Sequence, residues 1–451
     1  MSQLSITAVS IYMTEYLFNQ NFLILITAAA ALLSLYYFQI LRSRMTNARL
    51  KSYSIVFLLS VGLLIIEIVV VRYFFTLGNI PSAGYVIAEY FNVVIASLLL
   101  IRKKHKHSTF LGLATALMVL VLLLGTVNSF YRYYPTLGSL FGNRYIAVNR
   151  RTARISITYG AKALAYVSLE KQLNPELTLK GSIFDVPIPG SHSGFKARNA
   201  LVYLPAAYDF TANKARFPVL VLLTGVPGSP VDWLRGEHFK QTMDNFAQRH
   251  NGITPVVVIA DHNSNFSNDT ECVDSVRGNV EQYLSVDVPA YIALHFAVSP
   301  SPNNWGIGGL SEGGMCAAML SLRHQDVYRH FLDMSGDPAP YLSSNSQTLS
   351  VLFNGSTKSQ REHKLDWLLM HTPIAKGMTG QFVIGGDDKP KLINSLHSSY
   401  VLAVKKGMTA SFDVIPSEGH NAQAWGRAYE ESLPKLSSLL EATTCEADCA
   451  K

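Results

Sequence analysis

Four long apolar runs dominate the first part of the chain, at residues 21–40, 53–75, 85–101 and 109–127. Each is about 17–23 residues long, enough to cross the hydrocarbon core of a bilayer as a helix. The pattern predicts a four-helix transmembrane bundle. After residue 150 the pattern changes. Short β-branched or aliphatic runs at 182–189, 200–204, 218–223, 255–260, 305–309, 330–334, 381–384 and 411–415 alternate with helix-like stretches such as 280–296 and 315–324. This alternation predicts a mainly parallel sheet covered by helices. The unbroken apolar strands suit positions buried on both faces. The expected organisation is a transmembrane region over 1–127, an interfacial linker over 128–149, an α/β domain over 150–440 and a C-terminal tail over 441–451.

Charge adds an orientation. Arg42, Arg44, Arg49 and Lys51 separate the first two runs, and Arg102, Lys103, Lys104 and Lys106 separate the last two. The connection between the second and third runs, 77–84, carries no charge. The positive-inside rule puts both basic loops in the cytoplasm, so the N-terminus and everything after Val127 face the other side. No Lys or Arg precedes Arg42, so the basic n-region of a cleavable signal peptide is missing. Phe130-Tyr131-Arg132-Tyr133-Tyr134 reads as an interfacial aromatic belt, and the following Pro135-Thr136-Leu137-Gly138 as a turn. Within the spans, Arg72 and Glu89 fall at similar depth and are expected to pair. Glu67 lies deeper, without an evident partner, and is a candidate for a lipid or ion role.

The 451 residues are 49% hydrophobic and only 15% charged, which agrees with a membrane part. The formal net charge of +7 reads as a topology signal rather than a nucleic-acid stripe, because much of the early basic charge sits in the two loops. The expected partners are the lipid bilayer and an ester substrate, with no nucleic acid. Cys272, Cys316, Cys445 and Cys449 have no zinc spacing and form no dense disulfide framework. No metal or other cofactor is expected. A Cys445–Cys449 bridge and two unpaired thiols are both open readings of the tail.

The chemistry centres on Gly309-Leu310-Ser311-Glu312-Gly313, followed by Gly314. This is the G-x-S-x-G form of a nucleophile elbow, with a strand-like run before it and a helix-like run after it. A serine on so tight a turn needs small neighbours two residues away on each side. A serine hydroxyl is a poor nucleophile without a base, and in such sites the partners follow in the order acid, then histidine. Of the later histidines, His420 lies in a turn directly after a late strand, Phe412-Asp413-Val414-Ile415. The acid should follow the strand Phe382-Val383-Ile384, in Gly385-Gly386-Asp387-Asp388. Its usual position three residues past the first glycine selects Asp388, with Asp387 as the alternative. The acid orients and stabilises the imidazolium without taking its proton. The oxyanion hole is expected from the amides of Glu312 and Val226, the latter in Thr224-Gly225-Val226-Pro227-Gly228; Pro227 has no N–H to offer.

With these residues assembled, the region from about Gly181 to Glu431 resembles the esterase D and antigen 85 mycolyltransferase superfamily of α/β-hydrolases. The likeness lies in Arg198-Asn199-Ala200-Leu201-Val202-Tyr203-Leu204-Pro205, in Thr224-Gly225-Val226, in the elbow, in Glu281–Pro289, and in His420 with Trp425 five residues on. It is closer still to a membrane subgroup of bacterial esterase-like proteins with four N-terminal spans. These carry a segment like Asp269-Thr270-Glu271-Cys272-Val273-Asp274-Ser275. Mycolyltransferases differ in using a glutamate as the acid and a different loop near 269–275. The resemblance implies an α/β-hydrolase fold and acyl-ester chemistry, as a serine esterase or acyltransferase. Ligands bind at the C-terminal edge of such sheets, so Asp269, Glu271, Asp274 and Trp425 are candidate substrate-binding residues. The three acids suit a cationic group, such as that of an aminoacyl ester carried by a lipid. The competing reading is a catalytically idle binding domain on a membrane anchor, against which the intact Ser, Asp and His set argues.

Overall fold

The chain divides into two compact units, Met1–Asn143 and Arg144–Lys451. The computed structural model describes residues 180–441 apart from 209–215, 236–237 and 266–267, together with Val148–Asn149 and scattered positions of 110–124. The first three apolar runs, Glu67, Arg72, Glu89, the aromatic stretch 130–134, Cys445 and Cys449 lie outside the described residues. No helix among the described residues is long and apolar enough to cross a membrane.

The second unit is built on one large sheet. Its strands are β1 (Val148–Asn149), β2 (Ser182–Val186), β3 (Ala200–Leu204), β4 (Val219–Leu223), β5 (Val256–Ile259), β8 (Trp305–Leu310), β9 (His330–Met334), β10 (Thr379–Gly385) and β11 (Thr409–Ile415). The two-residue strands β6 (Asp274–Ser275) and β7 (Gly278–Asn279) form a separate hairpin. The large sheet has the order β1-β2-β3-β5-β4-β8-β9-β10-β11. Of these, β3 alone runs against its neighbours; the remaining pairings are parallel. The strand pattern read from the sequence is therefore present, with boundaries shifted by a residue or two.

Side chains alternate between two cores, as the period of a strand requires. Val219, Val221, Leu223, Val256, Val258, Ile307 and Phe331 enter one core. Leu220, Leu222, Val257, Ile259, Leu310, Leu332 and Met334 enter the other. The first core is covered by helix 280–295 and by helices Glu312–Arg323, Leu365–His371 and Pro390–Lys405. The second is covered by Phe239–Arg249 and Ala422–Glu441, which meet through stacked Phe239 and Tyr429, with Trp233 edge-on to both. Burial on both faces explains why β4 and β5 read as continuous aliphatic runs. Helix 280–295 is interrupted by a π-helical turn, Tyr283–Asp287, just before Pro289, whose missing N–H breaks the regular ladder.

Candidate active site

The site lies where β8, β10 and β11 end. Ser311 joins β8 to helix Glu312–Arg323 and has φ 54 and ψ −122, a conformation that persists only where the surroundings enforce it. Its own N–H donates to the Met334 carbonyl at 2.8 Å. The flanking glycines are required by space: a Cβ on Gly309 would collide with the backbone of Gly313, and one on Gly313 with the backbone of Thr224. The helix that follows directs its free amides and positive dipole end toward the serine.

The structure brings three of the predicted side chains into one hydrogen-bonded series. Ser311 Oγ lies 2.9 Å from His420 Nε2, and His420 Nδ1 lies 2.9 Å from Asp388 Oδ2. A carboxylate only accepts, so Nδ1 carries the proton toward Asp388 and Nε2 is left to accept the Ser311 hydroxyl. Asp388 is delivered by the turn after β10 and His420 by the turn after β11. The Asp388 side chain is 1% exposed and that of His420 34%, so the imidazole has a wet side and an anchored one. Burial pushes the Asp388 carboxyl up, but its bond to His420, the imidazole charge and the Lys389 amide outweigh burial and hold it below the ordinary carboxylate range. Asp387, the alternative acid, has an exposed side chain, and the bond to His420 Nδ1 is made by Asp388 instead; the Asp387 amide donates to the Glu418 carbonyl at 2.8 Å.

Trp425 sits in the first turn of helix Ala422–Glu441 and meets the His420 ring edge-on, with centroids 5.0 Å apart. Asn421 Oδ1 caps that helix by accepting from the Ala424 amide at 2.9 Å. The loop holding Val226 passes close to the serine: a Cβ on Gly225 would lie 3.1 Å from Ser311 Cβ. Among the described residues, neither the Val226 nor the Glu312 amide donates to another protein atom. Arg198, two residues before β3, braces this loop, donating to the Gly228 carbonyl at 2.7 Å while pairing with Asp261 Oδ1 at 2.7 Å.

The acidic segment is only partly at the site. Asp269 and Glu271 are buried near Glu312, whereas Asp274 is exposed on the β6–β7 hairpin and accepts from the Gln282 amide at 3.1 Å. Burial, reinforced by the Glu312 charge, pushes Asp269 up to about 7; burial and the neighbouring Asp269 push Glu271 well above the carboxylate range. Sequence reasoning missed a further set of contacts here. Glu312, assigned only a backbone role, uses its side chain as well: Oε2 accepts from His262 Nε2 at 3.1 Å and from Asn263 Nδ2 at 3.2 Å, and Oε1 accepts from the Glu271 amide at 3.0 Å. Cys272 is disulfide-bonded to Cys316, 44 residues away. No local signal marks that pair, since nothing in the spacing of Cys272 and Cys316 points from one to the other. His262, Cys272 and Glu312 place potential metal-ligand atoms within 4.8 Å of one another. With Cys272 Sγ bonded to Cys316, however, no thiolate is on offer there.

Residues 191–436, more than half of the chain, match the family model "Esterase: Putative esterase". An uncharacterized protein of Corynebacterium glutamicum is 34% identical over 311 residues, covering 66% of this chain and 69% of that protein. Among solved structures, a ferulic acid esterase matches with a TM-score of 0.49 at 20% identity, over 58% of this chain and 99% of its own. An S-formylglutathione hydrolase from Agrobacterium tumefaciens matches with a TM-score of 0.44 at 16% identity, over 59% and 98%. With a parallel-sheet core, a serine on a glycine-flanked elbow and a family match spanning both, the chain belongs to the esterase family and has an esterase-like α/β-hydrolase fold.

Proposed function

We propose that the unit 144–451 is a serine esterase or acyltransferase working through Ser311, His420 and Asp388. The observation that carries this reading is the unbroken series Ser311 Oγ–His420 Nε2–His420 Nδ1–Asp388 Oδ2, with 2.9 Å at each link. In this mechanism Ser311 Oγ attacks the ester carbonyl while its proton passes to His420 Nε2. The tetrahedral oxyanion takes the amides of Val226 and Glu312. Collapse breaks the ester C–O bond, and Nε2 returns the proton to the leaving oxygen. The resulting acyl-Ser311 is then attacked by water or by an acceptor hydroxyl, whose proton goes to Nε2 and on to the departing Ser311 oxygen. Hydrolysis and acyl transfer share every residue up to that last step. Asp388 orients the imidazole throughout.

The reading extends to location. The apolar runs before residue 128 anchor the protein as a multi-pass membrane protein, with the catalytic unit on the extracytoplasmic side. A lipid- or envelope-linked ester is then the natural substrate, because tethering raises its local concentration. The Cys272–Cys316 disulfide supports an oxidising compartment. Trp425, edge-on to His420, is a wall against which the substrate packs. The test is fluorophosphonate labelling of the membrane-extracted full chain, followed by lipid profiling of cells with Ser311→Ala. Labelling of Ser311 and a build-up of one esterified lipid are expected. A folded protein that takes no label leaves the idle binding domain as the better account.

A further inference from the structure

The residue after the nucleophile contributes more than an amide. Glu312 is 7% exposed and spends both carboxylate oxygens on a single loop, residues 262–271. Four residues on, one turn along the same helix face, Cys316 is bonded to Cys272 at the end of that loop. The loop is closed on itself by Asn263, whose Oδ1 accepts from the Thr270 amide while its Nδ2 donates to Glu312, and by Thr270 Oγ1 donating to the His262 carbonyl at 2.8 Å. Glu271 and Cys272 both have positive φ, 52 and 53, a costly conformation for residues with a Cβ that the surroundings must hold in place.

The other side of the elbow offers few handles. The residues after Glu312 are Gly313 and Gly314, which have no side chains to pack. The strained peptide between Ser311 and Glu312 is held at its carbonyl, which accepts from the Gly314 amide at 2.9 Å and the Met315 amide at 3.2 Å, and the Ser311 amide is held by the Met334 carbonyl. Beyond these backbone bonds the grip comes from the Glu312 carboxylate. A buried carboxylate is expensive to desolvate unless its bonds are made, and here all of them come from one element.

Resting on the reading of Ser311 as nucleophile, we propose that the Glu312 side chain is a positioning residue: with the Cys272–Cys316 bond it clamps loop 262–272 to the elbow helix and so holds the Glu312 N–H in line with the oxyanion. The clamp acts when charge develops on the substrate oxygen, so it governs turnover rather than ground-state binding.

The experiment uses the full chain and p-nitrophenyl butyrate, with turnover expressed per Ser311 labelled by fluorophosphonate so that unfolded protein does not count. Glu312→Ala is expected to lower kcat about 10- to 100-fold with KM within about twofold. Glu312→Gln, which keeps an acceptor for the Glu271 amide, is expected to recover most of that loss. Asn263→Ala, which removes one donor and leaves the helix untouched, is expected to lower kcat about three- to tenfold and serves if Glu312→Ala does not fold. Replacing both Cys272 and Cys316 with Ala is expected to lower kcat in the same sense. Unchanged kcat per labelled site in Glu312→Ala or Asn263→Ala, or a loss carried by KM alone, overturns the proposal while leaving Ser311 in place. Turnover that survives Ser311→Ala sinks the underlying reading instead.

Discussion

Asp388 and Glu281 both hold imidazoles, and of the two only Asp388 is placed to do chemistry. Asp388 takes His420 at 2.9 Å, and the far nitrogen of that ring faces Ser311 Oγ. Glu281, on helix 280–295, takes His324 Nε2 at 2.8 Å, Arg323 Nε at 2.6 Å and His363 Nε2 at 3.2 Å. The second nitrogen of His363 is already committed to the Ser359 carbonyl at 2.7 Å, so no hydroxyl is activated there. Burial pushes Glu281 up, but His324, His363 and Arg323 outweigh it and hold the carboxyl well below its usual range. A carboxylate–imidazole pair becomes a device for proton transfer only where the ring's far nitrogen is left for a nucleophile. Where no nucleophile meets the ring, the same chemistry is mortar between helices.

The largest effect that tests this contrast is expected from Ser311→Ala, which should lower kcat by about ten-thousandfold or more while leaving the melting temperature close to that of the native chain. Next comes Asp388→Asn, with about a thousandfold loss or more in kcat from the wrong imidazole tautomer. Asp387→Asn should stay within about twofold of the native rate by the same assay. Equal losses in the two variants would show that the hydrogen-bonded carboxylate is not the working acid.

Glu281→Gln should behave in the opposite way. Its turnover per labelled Ser311 should be close to native, and its stability in urea lower by about 2–3 kcal/mol. The sign with pH follows from the depressed carboxyl. Glu281 contributes stability above the ordinary carboxylate pKa, and this contribution is lost as pH falls through the folded-state value. The glutamine variant should therefore lose less on acidification than the native chain. The smallest effect concerns Asp333 in β9, a buried carboxyl without a cation. Its Oδ1 accepts from the Gly336 amide at 2.8 Å. Burial pushes it up to about 7, more than that amide lowers it. The folded state thus holds a proton that the unfolded chain has lost, and stability should fall as pH rises from about 4 to about 7. Asp333→Asn should remove that slope and gain on the order of 1–2 kcal/mol at pH 8, read from urea midpoints at pH 5 and pH 8.

Much of this unit was legible before any coordinates. The aliphatic runs of β4 and β5, the glycines two residues either side of Ser311, and the turn carrying His420 are local patterns, dictated by strand period and by steric limits on a tight bend. They depend on neighbours within a few residues, and so the sequence displays them directly. Which groups meet across long stretches of chain is set by packing alone. Asp387 and Asp388 are chemically identical and adjacent; the hydrogen bonds of the turn, Asp387 N–H to Glu418 and Asp388 N–H to Gly385, choose which one faces His420, 32 residues on. Cys272 meets Cys316, and Glu312 meets His262, through the packing of a loop against a helix 44 and 50 residues away. Such pairings leave no periodic trace, because the chain between them sets only how far the partners can reach, and the direction of each side chain comes from the packed sheet beneath.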